Sequence, residues 1–365
     1  MPELERYGWD PFFAQAFEPY AREGFDCGRV SAQHRDAYWV YTHCGELYAK
    51  VRGNVRYRAA ERGDLPAAGD WVVLSIRPDE AAATIHDLLP RKTKFSRKVA
   101  GEHTDEQVVA ANIDIVFLVS GLDADFNPRR IERYLTMAWE SGAEPVILLN
   151  KADLCSNVEG RVDEAAAAAP GVPVVVASAL TAQGLDELRA QLPLGRTAAF
   201  LGSSGVGKSS LINRLLGADV QAVREVRSAD DRGRHTTAYR RLFVLDSGGL
   251  VLDVPGMREL QLWSAGEGFS ATFEDIEELA AACRYRDCRH ESETGCAVQS
   301  AIKNGTLERA RLESYHKLQR ELRHLEIEQD RHASWAEKQR IKQIHRQLNR
   351  RLREKQHLPL SFRTK

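Results

Sequence analysis

Lys208 and Ser209 close a run whose spacing suits the cradling of phosphate groups. The segment AAFLGSSGVGKSS (198–210) passes from an apolar β run into Gly202, Ser203, Ser204, Gly205, Val206, Gly207, Lys208, Ser209 and Ser210, and LINRLL (211–216) follows as an apolar helical stretch. Strand, glycine-rich loop and helix, in that order, form the context a phosphate-binding loop requires. The glycines let consecutive backbone N–H groups turn inward onto phosphate oxygens, and the helix start adds partial positive charge. Lys208 is expected to reach the β and γ phosphates as binding and catalytic cation, with the Ser209 hydroxyl on Mg²⁺.

The base is read elsewhere. Asn150-Lys151-Ala152-Asp153 directly follows the strand run PVILLN (145–150). An aspartate at a strand's carboxyl end accepts two hydrogen bonds from the ring N–H and exocyclic amine of guanine, donors adenine does not present in that arrangement. Losing a buried charge-assisted bond of this kind costs roughly 1.5–3 kcal/mol, enough for at least tenfold discrimination. Asn150 is expected to brace the loop and the base, and the Lys151 stem to lie over its face. Ser178-Ala179-Leu180 ends another strand 25 residues after Asp153, where the Ala179 N–H would meet the keto oxygen. Downstream, GLVLDVPG (249–256) ends a strand in Asp253-x-x-Gly256. Asp253 is expected to hold Mg²⁺ through water and the Gly256 N–H to meet the γ phosphate. Between the two lies Gly233-Arg234-His235-Thr236-Thr237, where one threonine, Thr236 in preference to Thr237, would complete the Mg²⁺ shell.

These elements stand in an unusual order. Ordinary P-loop GTPases carry the phosphate loop first and the base-reading segments last, whereas here residues 150–153 and 178–180 precede 202–209, 236–237 and 253–256. The domain is therefore read as circularly permuted, a cut that a parallel sheet with nearby termini tolerates. In this the sequence resembles the bacterial ribosome small-subunit-dependent GTPases, a permuted family with an N-terminal OB barrel and a C-terminal zinc domain. The carrying segments are GRV (28–30), QVVAANID (107–114), FNPRRIERYL (126–135), LLNKADL (148–154), FLGSSGVGKSSLIN (200–213), GRHTT (233–237), DVPGMREL (253–260) and a cysteine cluster. Two features depart from the pattern: Val254 stands where threonine is commoner, and the first 25 residues are longer than the barrel needs.

Many GTPases place a water-orienting glutamine just after D-x-x-G. Here Met257 holds that place, and a thioether cannot orient water. The resemblance implies that His235 swings in as the replacement; the alternative is an exposed loop residue or an RNA contact. Cys283-x₄-Cys288-x-His290-x₅-Cys296 supplies three thiolates and an imidazole within 14 residues, a closed four-ligand set for one structural Zn²⁺.

The elements that must position these groups divide the chain into an N-terminal extension (1–26), an all-β OB-fold barrel (27–90), a basic linker (91–106), a permuted P-loop GTPase domain with a mostly parallel sheet and helices on both faces (107–268), a zinc-binding helical domain (269–305) and a basic helical tail (306–365). Asn127 followed by Pro128 marks a helix start. The net charge of −1 hides an uneven distribution, with ten Lys and Arg against one acid between Lys338 and Lys365. Arg52, Arg56, Arg58 and Arg62 with Tyr48 and Tyr57, together with Arg91, Lys92, Lys94, Arg97 and Lys98, make an aromatic and cationic mix suited to structured RNA. With no apolar run near the roughly 20 residues of a membrane span and no signal-like start, a soluble, cytoplasmic, monomeric protein is expected. The resemblance implies ribosome-stimulated GTP hydrolysis in late maturation of the small subunit, with the subunit, its rRNA and other assembly factors as partners. A passive RNA-binding module and an enzyme acting on a small molecule are the rival readings.

Overall fold

The computed structural model describes residues 2–34, 37–58, 62–98, 106–217, 240–253 and 266–327. Five strands, β1 (Asp26–His34), β2 (Ala37–Thr42), β3 (Gly45–Val51), β4 (Trp71–Arg77) and β5 (Ala82–Leu88), form the barrel. They pair in the order β1-β2-β3-β5-β4, and β4 returns to β1 through Cys27 opposite Val73, so the sheet closes on itself. Closure removes exposed strand edges and leaves Val30, Val40, Leu74 and Ile85 as a dry interior. The N-terminal extension, which carries no motif, packs on the outside of this barrel, against Cys27, Trp71 and Val73, whose side chains alternate with the interior ones. Helix Pro11–Arg22 is capped by Asp10 and buries Phe13 and Phe17, while Trp9 lies edge-on to the buried Trp71 at 4.7 Å between ring centres.

The polar stretch read as a linker is partly a strand. β6 (Lys94–Lys98) pairs antiparallel with β7 (Glu106–Ala111). It is held by one apolar residue, Phe95, which is buried. The central domain then runs through β8 (Ile115–Gly121), β9 (Glu144–Asn150), β10 (Val174–Val176), β11 (Thr197–Gly202), β12 (Arg240–Val244) and β13 (Leu250–Asp253). Their spatial order is β10-β9-β8-β11-β13-β12, all parallel except β12. Because side chains alternate along a strand, β8 sends Ile115, Phe117 and Val119 into one core and Val116 and Leu118 into the other, so helices cover both faces. Helix Pro128–Ser141 starts as expected, with Asn127 accepting from the Arg129 N–H at 2.9 Å, and stops at Gly142 in the left-handed region.

Two joints tie the parts together. β12 pairs with barrel strand β1, Ala32 opposite Arg241, so barrel and central sheet are continuous. At the other end, helices Glu267–Thr272, Glu274–Ala281 and Ala297–Lys303 and a helix over 309–327 pack onto helix Pro128–Ser141 and one another. The buried Arg311 guanidinium donates there to Asp275, to Glu132 and to the carbonyls of Ala168 and Thr272. The rest of the expected helical tail, 328–365, lies outside the described residues. Among the described residues no helix is long and apolar enough to cross a membrane.

Candidate nucleotide site and metal centre

β9, β11 and β13 run parallel, so their carboxyl ends emerge along one crest, where open α/β sheets hold ligands. β9 delivers Asn150, β11 delivers Gly202, and β13 delivers Asp253. The Asn150 side chain is 1% exposed; its Nδ2 donates to the Val206 carbonyl at 2.8 Å, and its Oδ1 accepts from the Ala179 N–H at 3.1 Å. One amide therefore bolts the base-reading segment to both the phosphate loop and the Ser178 loop. The Ala179 N–H, expected to meet a keto oxygen, is bonded here to Asn150. Asp153 Oδ1 accepts from Ser178 Oγ at 2.5 Å, and that hydroxyl accepts in turn from the Thr181 N–H, so the carboxylate is oriented by the loop that follows it in sequence. Lys151 takes a left-handed backbone, φ 66°, and its Nζ donates to Asp123 Oδ2 at 2.6 Å.

The phosphate loop fits a nucleotide by what it lacks. A Cβ at Gly202 would stand 2.4 Å from the Val119 carbonyl, and one at Gly207, where φ is 95°, would stand 2.3 Å from Asn150 Nδ2. Only glycine allows this close passage. Helix Lys208–Leu216 begins directly at the loop, with Ser209 and Ser210 half-buried in its first turn and Ser204 and Gly205 exposed at the open edge. Lys208 Nζ donates to the carbonyls of Gly202 and Ser203, each at 2.6 Å. On the neighbouring strand, burial pushes the Asp253 carboxyl up to about 6, against the opposing pull of Lys208. A cation, a hydroxyl and a carboxyl that gains from a positive neighbour thus share one pocket edge, a donor set that fits a nucleotide with Mg²⁺. His235, Thr236, Thr237 and Gly256 lie outside the described residues.

Three residues at the crest lie outside the nucleotide motifs and have no role legible from the sequence, although Arg130 falls within the segment FNPRRIERYL (126–135). Asp123, Asp125 and Arg130 follow β8, whose carboxyl end opens onto the same crest. Asp123 holds Lys151. Asp125 Oδ2 accepts from Ser203 Oγ of the phosphate loop at 2.6 Å and from Arg130, and Arg130 Nη1 also donates to Ser203 Oγ at 2.9 Å. Burial pushes the Asp125 carboxyl up, but the bonds from Arg130 and Ser203 and the charges of Arg130 and Lys151 outweigh it and hold the group below its usual range. The available signal was positional, since polar groups just past a parallel strand's carboxyl end face the ligand crevice.

The structure brings the four predicted metal ligands together. Cys283 Sγ lies 3.9 Å from Cys296 Sγ and 3.6 Å from His290 Nδ1, Cys296 Sγ lies 3.5 Å from His290 Nδ1, and all four ligand atoms, Cys288 included, fall within 4.8 Å of one another. A tetrahedral site with metal–sulfur bonds of about 2.3 Å has edges of about 3.8 Å, so the cluster matches that shell. Cys296 caps helix Ala297–Lys303, and the His290 carbonyl accepts from Gln299 Nε2.

On the barrel, Tyr57 is 93% exposed, and Trp39, 44% exposed, meets Tyr48 edge-on with Lys50 Nζ 5.8 Å from the Tyr48 ring centre. The basic run 91–98 contributes less open charge than its composition suggests. Arg91 forks onto the buried Asp70 and the carbonyls of Gly63 and Leu65, Lys92 pairs with Asp10, and Lys94 pairs with Glu106.

The RsgA GTPase family model matches residues 88–263, and a 50S ribosome-binding GTPase model matches 197–357, beginning at the first residue of β11. Only the second description names a ribosomal subunit. Full-length relatives favour the first. The protein is 46% identical to the small ribosomal subunit biogenesis GTPase RsgA of Opitutus terrae, over 94% of this chain and 96% of that one. It is 41% identical to that of Syntrophotalea carbinolica, over 96% and 98%. Among solved structures, YjeQ from Thermotoga maritima superposes with a TM-score of 0.61 at 29% identity, covering 82% of this chain and 98% of that one. YloQ, described as a circularly permuted GTPase, shares the fold with a TM-score of 0.60 at 23% identity, over 82% and 95%. Near-complete coverage by these relatives, together with a base-reading segment bonded to a phosphate loop that follows it in the chain, makes this protein a member of the RsgA family of circularly permuted GTPases.

Proposed function

We propose that the protein hydrolyses GTP at the β9–β11–β13 crest and that this turnover serves maturation of the small ribosomal subunit. The observation that carries the nucleotide reading is the pair of hydrogen bonds that Asn150 makes with the Val206 carbonyl and the Ala179 N–H, which joins the segment 150–153 to the phosphate loop despite the swapped order. In this reading Asp153 accepts from the ring N–H and amine of guanine, Lys151 covers the base, and the N–H groups of residues 203–210 with Lys208 take the phosphates. Ser209, Thr236 and a water held by Asp253 would ligate Mg²⁺, which would supply positive charge to neutralise the phosphates. His235 orients the attacking water in place of the missing glutamine, and docking organises its loop, so turnover rises on the subunit.

The subunit assignment is supported by relatives named small ribosomal subunit biogenesis GTPases. The barrel face around Trp39, Tyr48 and Tyr57 suits rRNA, with other assembly factors as further partners and a cytoplasmic monomer as the working form. The Cys₃His set suits zinc, a closed shell that braces the C-terminal helices. Because residues 254–265 connect β13 to those helices, the γ phosphate state is read as re-aiming them. GTP turnover with and without purified small subunits tests the proposal. Stimulation by the subunit is expected; turnover that subunits leave unchanged overturns it in favour of a passive RNA-binding module.

A further inference from the structure

Three carboxylates border the phosphate loop, an unfavourable neighbourhood for a polyanion unless each has its own cation. Asp123 has Lys151, at 2.6 Å. Asp253 lies in the field of Lys208. Asp125 has Arg130, which reaches it across the first turn of helix Pro128–Ser141. Asp125 touches the loop itself, since its Oδ2 accepts the Ser203 hydroxyl. It is also 42% exposed, so it stands at the rim rather than in the core.

From this arrangement we propose that Arg130 is a charge-screening and positioning residue of the phosphate loop: it neutralises Asp125 and pins the Ser203 corner, and so sets how strongly GTP is bound relative to GDP. The inference rests on the GTP reading of the crest. Two charges of like sign at the lip of the same loop repel through a partly dry medium, and the repulsion grows with the charge on the nucleotide. GTP carries one more phosphoryl group than GDP, so exposing Asp125 penalises GTP more. A single atom, Arg130 Nη1, donates both to the Asp125 carboxylate beside the loop and to Ser203 Oγ within it. Since one nitrogen makes both contacts, a lysine at 130 would supply the same charge from a single donor atom.

Equilibrium binding of fluorescent GTP and GDP to the full-length protein separates these roles. Arg130→Ala is expected to weaken GTP about tenfold and GDP about threefold, with the gap narrowing in high salt as screening takes over. Arg130→Ala combined with Asp125→Asn is expected to recover the wild-type GTP to GDP ratio within about twofold, because the uncompensated charge is gone. Arg130→Lys is expected to retain most of the ratio. An unchanged ratio in Arg130→Ala, or a double variant no better than the single one, overturns the inference. Wild-type protein that binds neither nucleotide sinks the underlying GTP reading instead, so the two failures are distinguishable.

Discussion

On the base side of the crest, Asn150, Asp153 and Ser178 reach their places through hydrogen bonds among themselves and to backbone. On the phosphate side, Lys208 is held by two carbonyls at the loop's mouth, Asp253 is a half-buried carboxyl whose proton affinity desolvation raises, and Ser203 is fixed by a charge pair at an exposed rim. The first half is built before the ligand arrives, and the second is a set of charges to be rebalanced by it. Changes on the base side should therefore strike specificity and folding, and changes on the phosphate side affinity, turnover and pH response.

The largest expected effect is on specificity. Asp153→Asn exchanges an acceptor pair for an acceptor and a donor, and two lost charge-assisted bonds of about 1.5–3 kcal/mol each lower GTP affinity by about two to four decades. Xanthosine triphosphate, whose C2 oxygen accepts where guanine donates, should bind the variant better than GTP does. Competition binding checks this, and equal losses for both nucleotides would blur the division. Next, His235→Ala should lower subunit-stimulated turnover by about 10²–10³ while GTP affinity stays within about twofold. Unchanged stimulated turnover removes His235 from the mechanism.

Asn150→Ala leaves the Val206 carbonyl and the Ala179 N–H without their partner, at about 1–3 kcal/mol for each buried group. Urea unfolding should show a loss of about 2–4 kcal/mol, whereas Ser204→Ala, at the exposed loop edge, should change little. The smallest effect is at Asp253. Its carboxyl is raised from 3.8 to about 6 by burial, so the folded state holds the proton more tightly than the unfolded chain. Stability from this group is complete below pH 3.8 and is lost as pH rises through about 6. Asp253→Asn should therefore stabilise the nucleotide-free protein by about 1–2 kcal/mol at pH 7, with no gain near pH 3.5. A gain independent of pH would contradict the assigned cause.

What sequence could read of this site was the part whose chemistry is local. The phosphate loop, N-K-A-D, S-A-L and the Cys₃His cluster each lie within a short span, and strand ends placed them without a structure. Features defined by distant partners were not legible. Arg91 belongs to Asp70, 21 residues away, so the first residue of a run that looks solvent-facing is spent inside the fold. Asp125 and Arg130 look like an ordinary polar loop and helix start, and only the strand order brings them to Ser203, 78 and 73 residues later. The N-terminal extension was silent because Trp9, Phe13 and Phe17 bury against one another and Trp71, a partner nothing in their own segment announces.

A crystal structure of the full-length protein with Mg²⁺ and a slowly hydrolysed GTP analogue tests most directly whether the two separated segments form one guanine site. Asp153 Oδ atoms within hydrogen-bond reach of the guanine ring N–H and amine, with Lys208 Nζ on the β and γ phosphates of the same molecule, is the result expected. A nucleotide whose base lies away from Asp153 while its phosphates occupy the loop would contradict it.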